Sequence, residues 1–158
     1  MDSWNESGHD KKRKSCPQMP STITRGYKKL LDEANAQIET INAAEAVERF
    51  PQGGVGQDEV VIVDLRDPRE IEREGRIPGA FHCPRGMLEF WIDPESPYAK
   101  PVFQEDKKFV FQCASGWRSA LAAKTAQDMG LSPVAHLGGG FTAWKAAGGP
   151  IEKVEKKT

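Results

Sequence analysis

One seven-residue segment, Cys113-Ala114-Ser115-Gly116-Trp117-Arg118-Ser119, combines the side chains that sulfur-based nucleophilic chemistry requires. Cys113 supplies a thiol, Gly116 permits a tightly curled loop, and Arg118 adds a cation with a forked set of donors. In such a loop the backbone N–H groups point inward, and the start of the following helix contributes partial positive charge. We expect these groups to stabilise a thiolate at neutral pH and to bind a tetrahedral oxyanion beside it.

An unreactive core cysteine is the alternative interpretation of Cys113, because free cysteine is among the most buried residue types. The glycine, the arginine and two serines within the next six residues favour a reactive site, since an apolar core needs none of them. The hydroxyls of Ser115 and Ser119 can act as additional donors. Trp117 is a large aromatic residue in a polar loop, and it either points outward at the mouth of a pocket or packs against Phe90 and Trp91.

The elements that must position this segment alternate along the chain between strand and helix patterns. Continuous β-branched and aromatic runs predict buried strands, and shorter alternating runs predict two more. The predicted strands cover residues 38–41, 60–65, 80–83, 109–113 and 134–137. The predicted helices cover residues 26–36, 43–50, 68–74, a fragment within 86–101, and 141–147. Another helix is predicted after the connection that ends at Arg118, with Leu121, Ala122, Thr125 and Met129 on one face and Gly130 as its stop. This alternation predicts an α/β fold with a mostly parallel β-sheet covered by helices on both faces.

Function in open α/β sheets collects at the carboxyl ends of the strands. Cys113 ends one predicted buried strand, and Asp64 and Arg66 lie at the end of another. Their side chains are therefore expected at the same edge of the sheet. For Asp64 and Arg66 we expect structural support of the site rather than catalysis.

Four motifs occur in the order that is typical of rhodanese domains. They are Val63-Asp64-Leu65-Arg66-Asp67, Gly75-Arg76-Ile77-Pro78-Gly79-Ala80-Phe81-His82, the segment from Cys113 to Ser119, and Leu137-Gly138-Gly139-Gly140-Phe141-Thr142-Ala143-Trp144. The chain resembles this family over about residues 38–151. The resemblance implies a rhodanese-like fold and sulfurtransferase chemistry.

The implied reaction begins when the Cys113 thiolate attacks the outer sulfur of thiosulfate and sulfite leaves. A persulfide remains on the cysteine, and cyanide or another thiol then removes its sulfur. The resemblance places Cys113 as the catalytic residue and Arg118 as the group that binds the sulfite part of the substrate. The remaining substrate-binding positions are those of the loop: Ala114, Ser115, Gly116, Trp117 and Ser119. No metal or organic cofactor is expected, because the cysteine itself carries the sulfur.

Two alternatives to a thiosulfate sulfurtransferase stay open. The domain could be a persulfide carrier that relays sulfur from a partner desulfurase, with a protein as sulfur donor or acceptor. A cysteine phosphatase or arsenate reductase of the same fold is less favoured, because such phosphatases resemble Cys-x5-Arg and only four residues separate Cys113 from Arg118 here. His82 could act as a base and Cys83 could resolve a persulfide, but packing roles are the simpler expectation for both. His136 is assigned no role.

Composition limits the classes of partner. The 22 Lys and Arg balance 23 Asp and Glu, and the net charge of −1 argues against a nucleic-acid-coating protein. No apolar segment resembles a membrane helix or a secretory signal, and three cysteines without metal-ligand spacing favour a reducing, cytoplasmic location. Composition predicts a disordered tail over residues 1–25, one domain over 26–152 and a charged tail over 153–158. The basic run from Lys11 to Lys14 is interpreted as solvated tail.

Overall fold

The structure is a computed structural model that describes residues 20–51 and 60–155. Most of the predicted N-terminal tail, including the basic run from Lys11 to Lys14 and Cys16, lies outside these residues, as do residues 156–158. Among the helices described, none is long and apolar enough to cross a membrane.

A five-stranded parallel sheet forms the centre of the molecule, with the order β1-β5-β4-β2-β3. The strands are β1 (Glu39–Ile41), β2 (Val60–Asp64), β3 (Phe81–His82), β4 (Lys108–Gln112) and β5 (Val134–Leu137). The register pairs Asp64 of β2 with Gln112 of β4, so both strands end at the same level. The α/β prediction is confirmed. The predicted strand ends are shifted slightly, because β4 stops at Gln112 and Cys113 is the first residue of the following loop.

The described residues form six α-helices, of which four lie between strands, one precedes β1 and one follows β5. They are α1 (Tyr27–Gln37), α2 (Ala43–Arg49), α3 (Pro68–Glu74), α4 (Leu88–Ile92), α5 (Trp117–Met129) and α6 (Gly140–Ala146), with short 3-10 turns at Arg85–Met87 and Pro101–Gln104. Capping side chains explain where two of these helices begin. The Asn42 side chain accepts from the backbone N–H of Glu45 at the start of α2, and Asp67 and Glu70 form a capping box on α3.

The core consists of two apolar layers, one on each face of the sheet. Val63, Phe109 and Phe111 point to the layer that holds α1, α4 and α5, whereas Ile62 and Val110 point to the layer that holds α2 and α6. This alternation is the period of two that strand geometry imposes. The sheet is therefore covered on both faces, as predicted.

The face predicted for α5 is only partly buried. Ala122 is buried, but Met129 on the same predicted face is 42% exposed. The buried residues of this helix are small: Ser119, Ala120, Ala122, Ala123 and Ala126. Small side chains let α5 lie close to the sheet, and hydrophobicity alone does not identify such a face.

Candidate active site

The Cys113 thiol lies at the centre of the loop that joins β4 to α5. Cys113 is fully buried. Its sulfur accepts hydrogen bonds from two backbone N–H groups of the loop. The nitrogen of Gly116 lies 3.2 Å from Sγ, and that of Ser119 lies 3.4 Å away. Two N–H groups aimed at one sulfur form the kind of anion-binding loop that favours a thiolate or a persulfide anion.

Gly116 makes this curl possible. Its φ is +101°, in the left-handed region that L side chains rarely adopt, and a Cβ there would lie 3.2 Å from the backbone nitrogen of Gly139. The 13-residue helix α5 begins at the next residue, so its N-terminal partial charge falls on the loop that holds Cys113.

The first residues of α6 are hydrogen-bonded to the Cys113 loop. Phe141 N–H donates to the Cys113 carbonyl at 2.7 Å, and Thr142 N–H donates to the Ala114 carbonyl at 3.1 Å. Gly140 allows this approach because a Cβ on it would lie 2.4 Å from the Cys113 carbonyl oxygen. The glycine motif at residues 138–140 directly follows β5. It therefore lets the start of α6 hold the loop after β4 in position.

Arg118 is held by Glu70, a residue that the sequence analysis did not identify. Its two terminal nitrogens donate to the two carboxylate oxygens of Glu70 at 2.9 and 3.0 Å, while its side chain is 40% exposed. The Glu70 carboxylate raises the pKa of Arg118, and the Cys113 sulfur contributes to the same rise. Arg118 is thus close to the thiol, with its guanidinium fork occupied by a carboxylate.

The same contact changes the acidity of Glu70. The hydrogen bonds from Arg118 lower the pKa of the Glu70 carboxyl from 4.5 to about 2, and the hydrogen bond from the Asp67 backbone N–H assists. A sequence signal for Glu70 did exist. The Asp67-x-x-Glu70 spacing is a capping box, which places Glu70 at the carboxyl edge of β2 beside the loop after β4.

Asp64 and Arg66 form a buried ion pair at this edge, each 1% exposed. Asp64 accepts from the Arg66 backbone N–H at 3.0 Å and from its guanidinium at 2.8 and 3.0 Å. The guanidinium also donates to the Gly75 carbonyl and lies 4.1 Å from the centre of the Phe141 ring. These contacts link the end of β2 to α6, and the supporting role of the pair for the site stays a prediction.

A cleft of about 280 Å³ opens beside the loop at Ala114. Charged side chains of both signs surround it, and Phe141 and Thr142 of α6 complete its lining. The charged residues are Arg66, Glu70, Arg73, Glu74 and Lys145. Most of these charges are paired, for example Lys145 with Glu74 at 3.3 Å. The cleft is suited to a small polar molecule that approaches the loop from the side of α3 and α6.

A histidine without a predicted role connects to the thiol through Ser119. The Ser119 hydroxyl oxygen lies 3.6 Å from Cys113 Sγ and 3.0 Å from Nδ1 of the buried His136. Burial lowers the pKa of His136. The sequence holds no local signal for this contact, because Ser119 lies in α5 and His136 lies in β5. Only the position of β5 beside β4, the strand that precedes the loop, could have suggested it.

The remaining candidates have no side-chain hydrogen bond to the Cys113 sulfur among the described residues. Ser115 is exposed, and Trp117 is 56% exposed, with its ring 5.1 Å from that of Tyr27 rather than against Phe90 or Trp91. Ring nitrogen Nε2 of His82 lies 2.7 Å from the Arg66 carbonyl oxygen. Burial raises the pKa of Cys83 to about 12, so this thiol stays protonated at neutral pH.

Comparison with known proteins identifies the domain type. The profile of the rhodanese-like domain matches residues 44–147. The thiosulfate sulfurtransferase GlpE of Pseudoalteromonas translucida is 32% identical over 100 residues, which is 63% of this chain and 85% of GlpE. A Bacillus subtilis protein provisionally named sulfur carrier protein YrkF is 29% identical over 99 residues, or 63% of this chain and 49% of that protein. The chain spans about half the length of several curated relatives that it matches.

A solved structure from Rhodopseudomonas palustris is more similar in sequence. It is 70% identical, covers 85% of this chain and all of its own, and superposes with a TM-score of 0.80. That protein is described as being of unknown function and a possible tyrosine phosphatase.

Proposed function

Since this chain belongs to the rhodanese-like domain family, whose members include named sulfurtransferases, we propose that it transfers sulfane sulfur through a persulfide on Cys113. One observation carries the proposal: the Cys113 sulfur accepts hydrogen bonds from the N–H groups of Gly116 and Ser119. These donors can stabilise negative charge on sulfur both before and after the extra sulfur is bound.

The reaction has two displacement steps. In the first, the thiolate attacks the outer sulfur of thiosulfate, a new S–S bond forms, and sulfite leaves with the electron pair of the broken bond. In the second, cyanide or a thiolate attacks the outer persulfide sulfur, and the Cys113 thiolate leaves. Arg118 is the cation that would bind the sulfite oxygens, which requires it to exchange bonds with Glu70 for bonds to the substrate.

Intact-protein mass after thiosulfate treatment is the direct test. We expect a gain of one sulfur atom that cyanide removes, and no gain in Cys113→Ser. Cys83→Ser is the matched control, because Cys83 is buried and its raised pKa keeps it protonated. Retention of the added sulfur in Cys113→Ser, or no sulfur on the wild-type protein from any donor, would reject the proposal.

A carrier role would involve the same persulfide with a different donor. The resemblance to a protein provisionally named a sulfur carrier favours including this candidate. Efficient loading of Cys113 from a protein persulfide, together with weak turnover of thiosulfate, would identify a carrier.

Phosphatase activity is a second candidate because of the description of the Rhodopseudomonas palustris relative. One feature disfavours it: only four residues separate Cys113 from Arg118, whereas phosphatases of this kind resemble Cys-x5-Arg. Hydrolysis of para-nitrophenyl phosphate, measured beside thiosulfate–cyanide transfer, decides between them. Phosphatase turnover that depends on Cys113, without sulfur transfer, would favour the phosphatase.

A further inference from the structure

His136 joins the buried thiol to the protein surface through a series of hydrogen bonds. Its Nδ1 lies 3.0 Å from Ser119 Oγ, which lies 3.6 Å from Cys113 Sγ. Its Nε2 lies 3.0 Å from Asn35 Oδ1 and 3.1 Å from Thr40 Oγ1, and both of these residues are exposed. We call the first three members of this series the Cys113–Ser119–His136 relay.

The partners of His136 determine the direction of these hydrogen bonds. Asn35 Oδ1 can only accept, so Nε2 carries the ring proton. Nδ1 therefore presents a lone pair and accepts from the Ser119 hydroxyl. The Ser119 oxygen in turn accepts from the Cys113 thiol. Every donor in the relay points toward the imidazole.

Burial explains why the thiol needs an internal proton acceptor. Cys113 and Ser119 are both fully buried, so the sulfur is poorly hydrated. Loss of the proton to solvent would leave an unbalanced charge in the interior, which is costly. Transfer of the proton to the ring leaves a thiolate and an imidazolium, and the buried cluster stays neutral overall.

We propose that His136, acting through the Ser119 hydroxyl, is the internal proton acceptor for the Cys113 thiol. The S–H bond breaks with its electron pair kept on sulfur, the proton passes to Ser119 Oγ, and the serine proton passes to His136 Nδ1. No oxidation or reduction occurs. The inference rests on the proposed function, because it concerns the formation of the same sulfur nucleophile.

The surroundings of His136 are consistent with this role. Burial lowers the pKa of the ring, so it is neutral at pH 7 before transfer, and the imidazolium forms only together with the thiolate whose charge offsets its own. Neutral groups face it: Asn35 from α1, Thr40 from β1, Ser119 from α5, and the register neighbour Phe111 from β4. The titratable group at the far end of the relay is Cys113, and the nearby Arg118 is paired with Glu70.

Alkylation of Cys113 by iodoacetamide, followed by mass spectrometry over a range of pH, tests the proposal on the full chain. His136→Asn keeps a polar atom near the position of Nδ1 but cannot take up a proton, and Ser119→Ala breaks the relay. We expect each to slow alkylation at neutral pH about tenfold and to move the profile to higher pH. The double variant should be no slower than either single variant, because both interrupt one relay.

His82→Asn is the matched control, since His82 bonds to the Arg66 carbonyl and is not part of the relay. Its alkylation profile should equal that of the wild type. An unchanged profile in His136→Asn, or effects of Ser119→Ala and His136→Asn that add in the double variant, would overturn the proposal.

The double variant Asn35→Ala/Thr40→Val keeps the test decisive if the buried variants do not fold, because both residues are exposed. It removes both acceptors that keep Nε2 protonated, and we expect roughly threefold slower alkylation at neutral pH. No change would overturn the relay. Alkylation requires no sulfur donor, so failure of the wild-type protein to gain sulfur would reject the proposed function without affecting this result.

Discussion

Arg118 and Glu70 hold each other in a two-point contact beside the nucleophile. The guanidinium presents both terminal nitrogens to one carboxylate, which is the geometry that it would also use for two sulfite oxygens. A substrate anion must therefore compete with Glu70 for the fork. We therefore expect dianions to displace Glu70 more readily than weakly charged anions.

Replacement of Arg118 separates its charge from its shape. Arg118→Lys keeps a positive charge but loses the planar fork, so we expect KM for thiosulfate to rise more than the rate of Cys113 alkylation falls. Arg118→Ala removes both and should lower kcat/KM on the order of a hundredfold. Steady-state kinetics and alkylation rates on the same samples measure this. An unchanged KM for thiosulfate in Arg118→Lys would show that the fork does not bind substrate.

Glu70 contributes to stability in a defined window of pH. Its pKa is lowered from 4.5 to about 2 in the folded protein, so its contribution is fully present above about pH 4.5 and is lost as the pH falls toward 2. Glu70→Gln keeps an oxygen that can cap Asp67 N–H but does not titrate. We expect a smaller loss of unfolding free energy in this variant between pH 4.5 and 2.

Urea denaturation at several pH values in that window is the measurement for Glu70. Asp67, Glu74 and Glu89 also have lowered pKa values and remain in the variant, so only part of the acid sensitivity should disappear. Identical pH dependence in the two proteins would mean that the Arg118–Glu70 contact is absent in solution.

At the scale of elements, α6 fixes the position of the thiol loop. Two N–H groups at its start donate to the carbonyls of Cys113 and Ala114, and the absence of a side chain at Gly140 permits the contact. The helix and the loop are therefore one structural unit, although they follow different strands.

Gly140→Ala tests this unit. Its Cβ would lie 2.4 Å from the Cys113 carbonyl oxygen, and its φ of +61° adds strain. We expect a loss of about 1–3 kcal/mol in unfolding free energy and a clear loss of sulfur transfer. Gly148→Ala is the matched control, because its φ is +83° but no atom lies within 4 Å of the added Cβ. Gly148→Ala should lose stability through backbone strain alone and keep full sulfur-transfer activity. Equal loss of that activity in the two variants would refute the coupling between α6 and the Cys113 loop.

Most elements were predictable from the sequence because their signals are local. The Asp67-Pro68 start and Gly75 end of α3 and the β-branched run of β2 lie within a few residues of the structure they specify. The Arg118–Glu70 contact and the relay to His136 were not predictable, since each joins side chains on different elements. The buried face of α5 was missed because it consists of alanines, which carry little hydrophobic signal.

At the scale of the whole molecule, the composition of residues 1–25 predicts that this segment does not contribute to catalysis. A chain that starts at Arg25 should show unchanged sulfur transfer and an unchanged midpoint of thermal unfolding. Activity assays and thermal denaturation of the shortened and full chains provide the comparison. Loss of activity at full stability would assign the segment a role at the site.

The pairing of β1 with β5 has a consequence for how this protein is made. Glu39 lies beside Ala135 and Ile41 beside Leu137, so the first strand of the sheet is joined to the last. A ribosome releases the first strand long before its partner, and the growing chain cannot complete the sheet strand by strand. The fold, and with it the contact of His136 with Asn35 and Thr40, closes only when the last strand is free. The nucleophile can therefore gain its proton acceptor only after β5 has been synthesised.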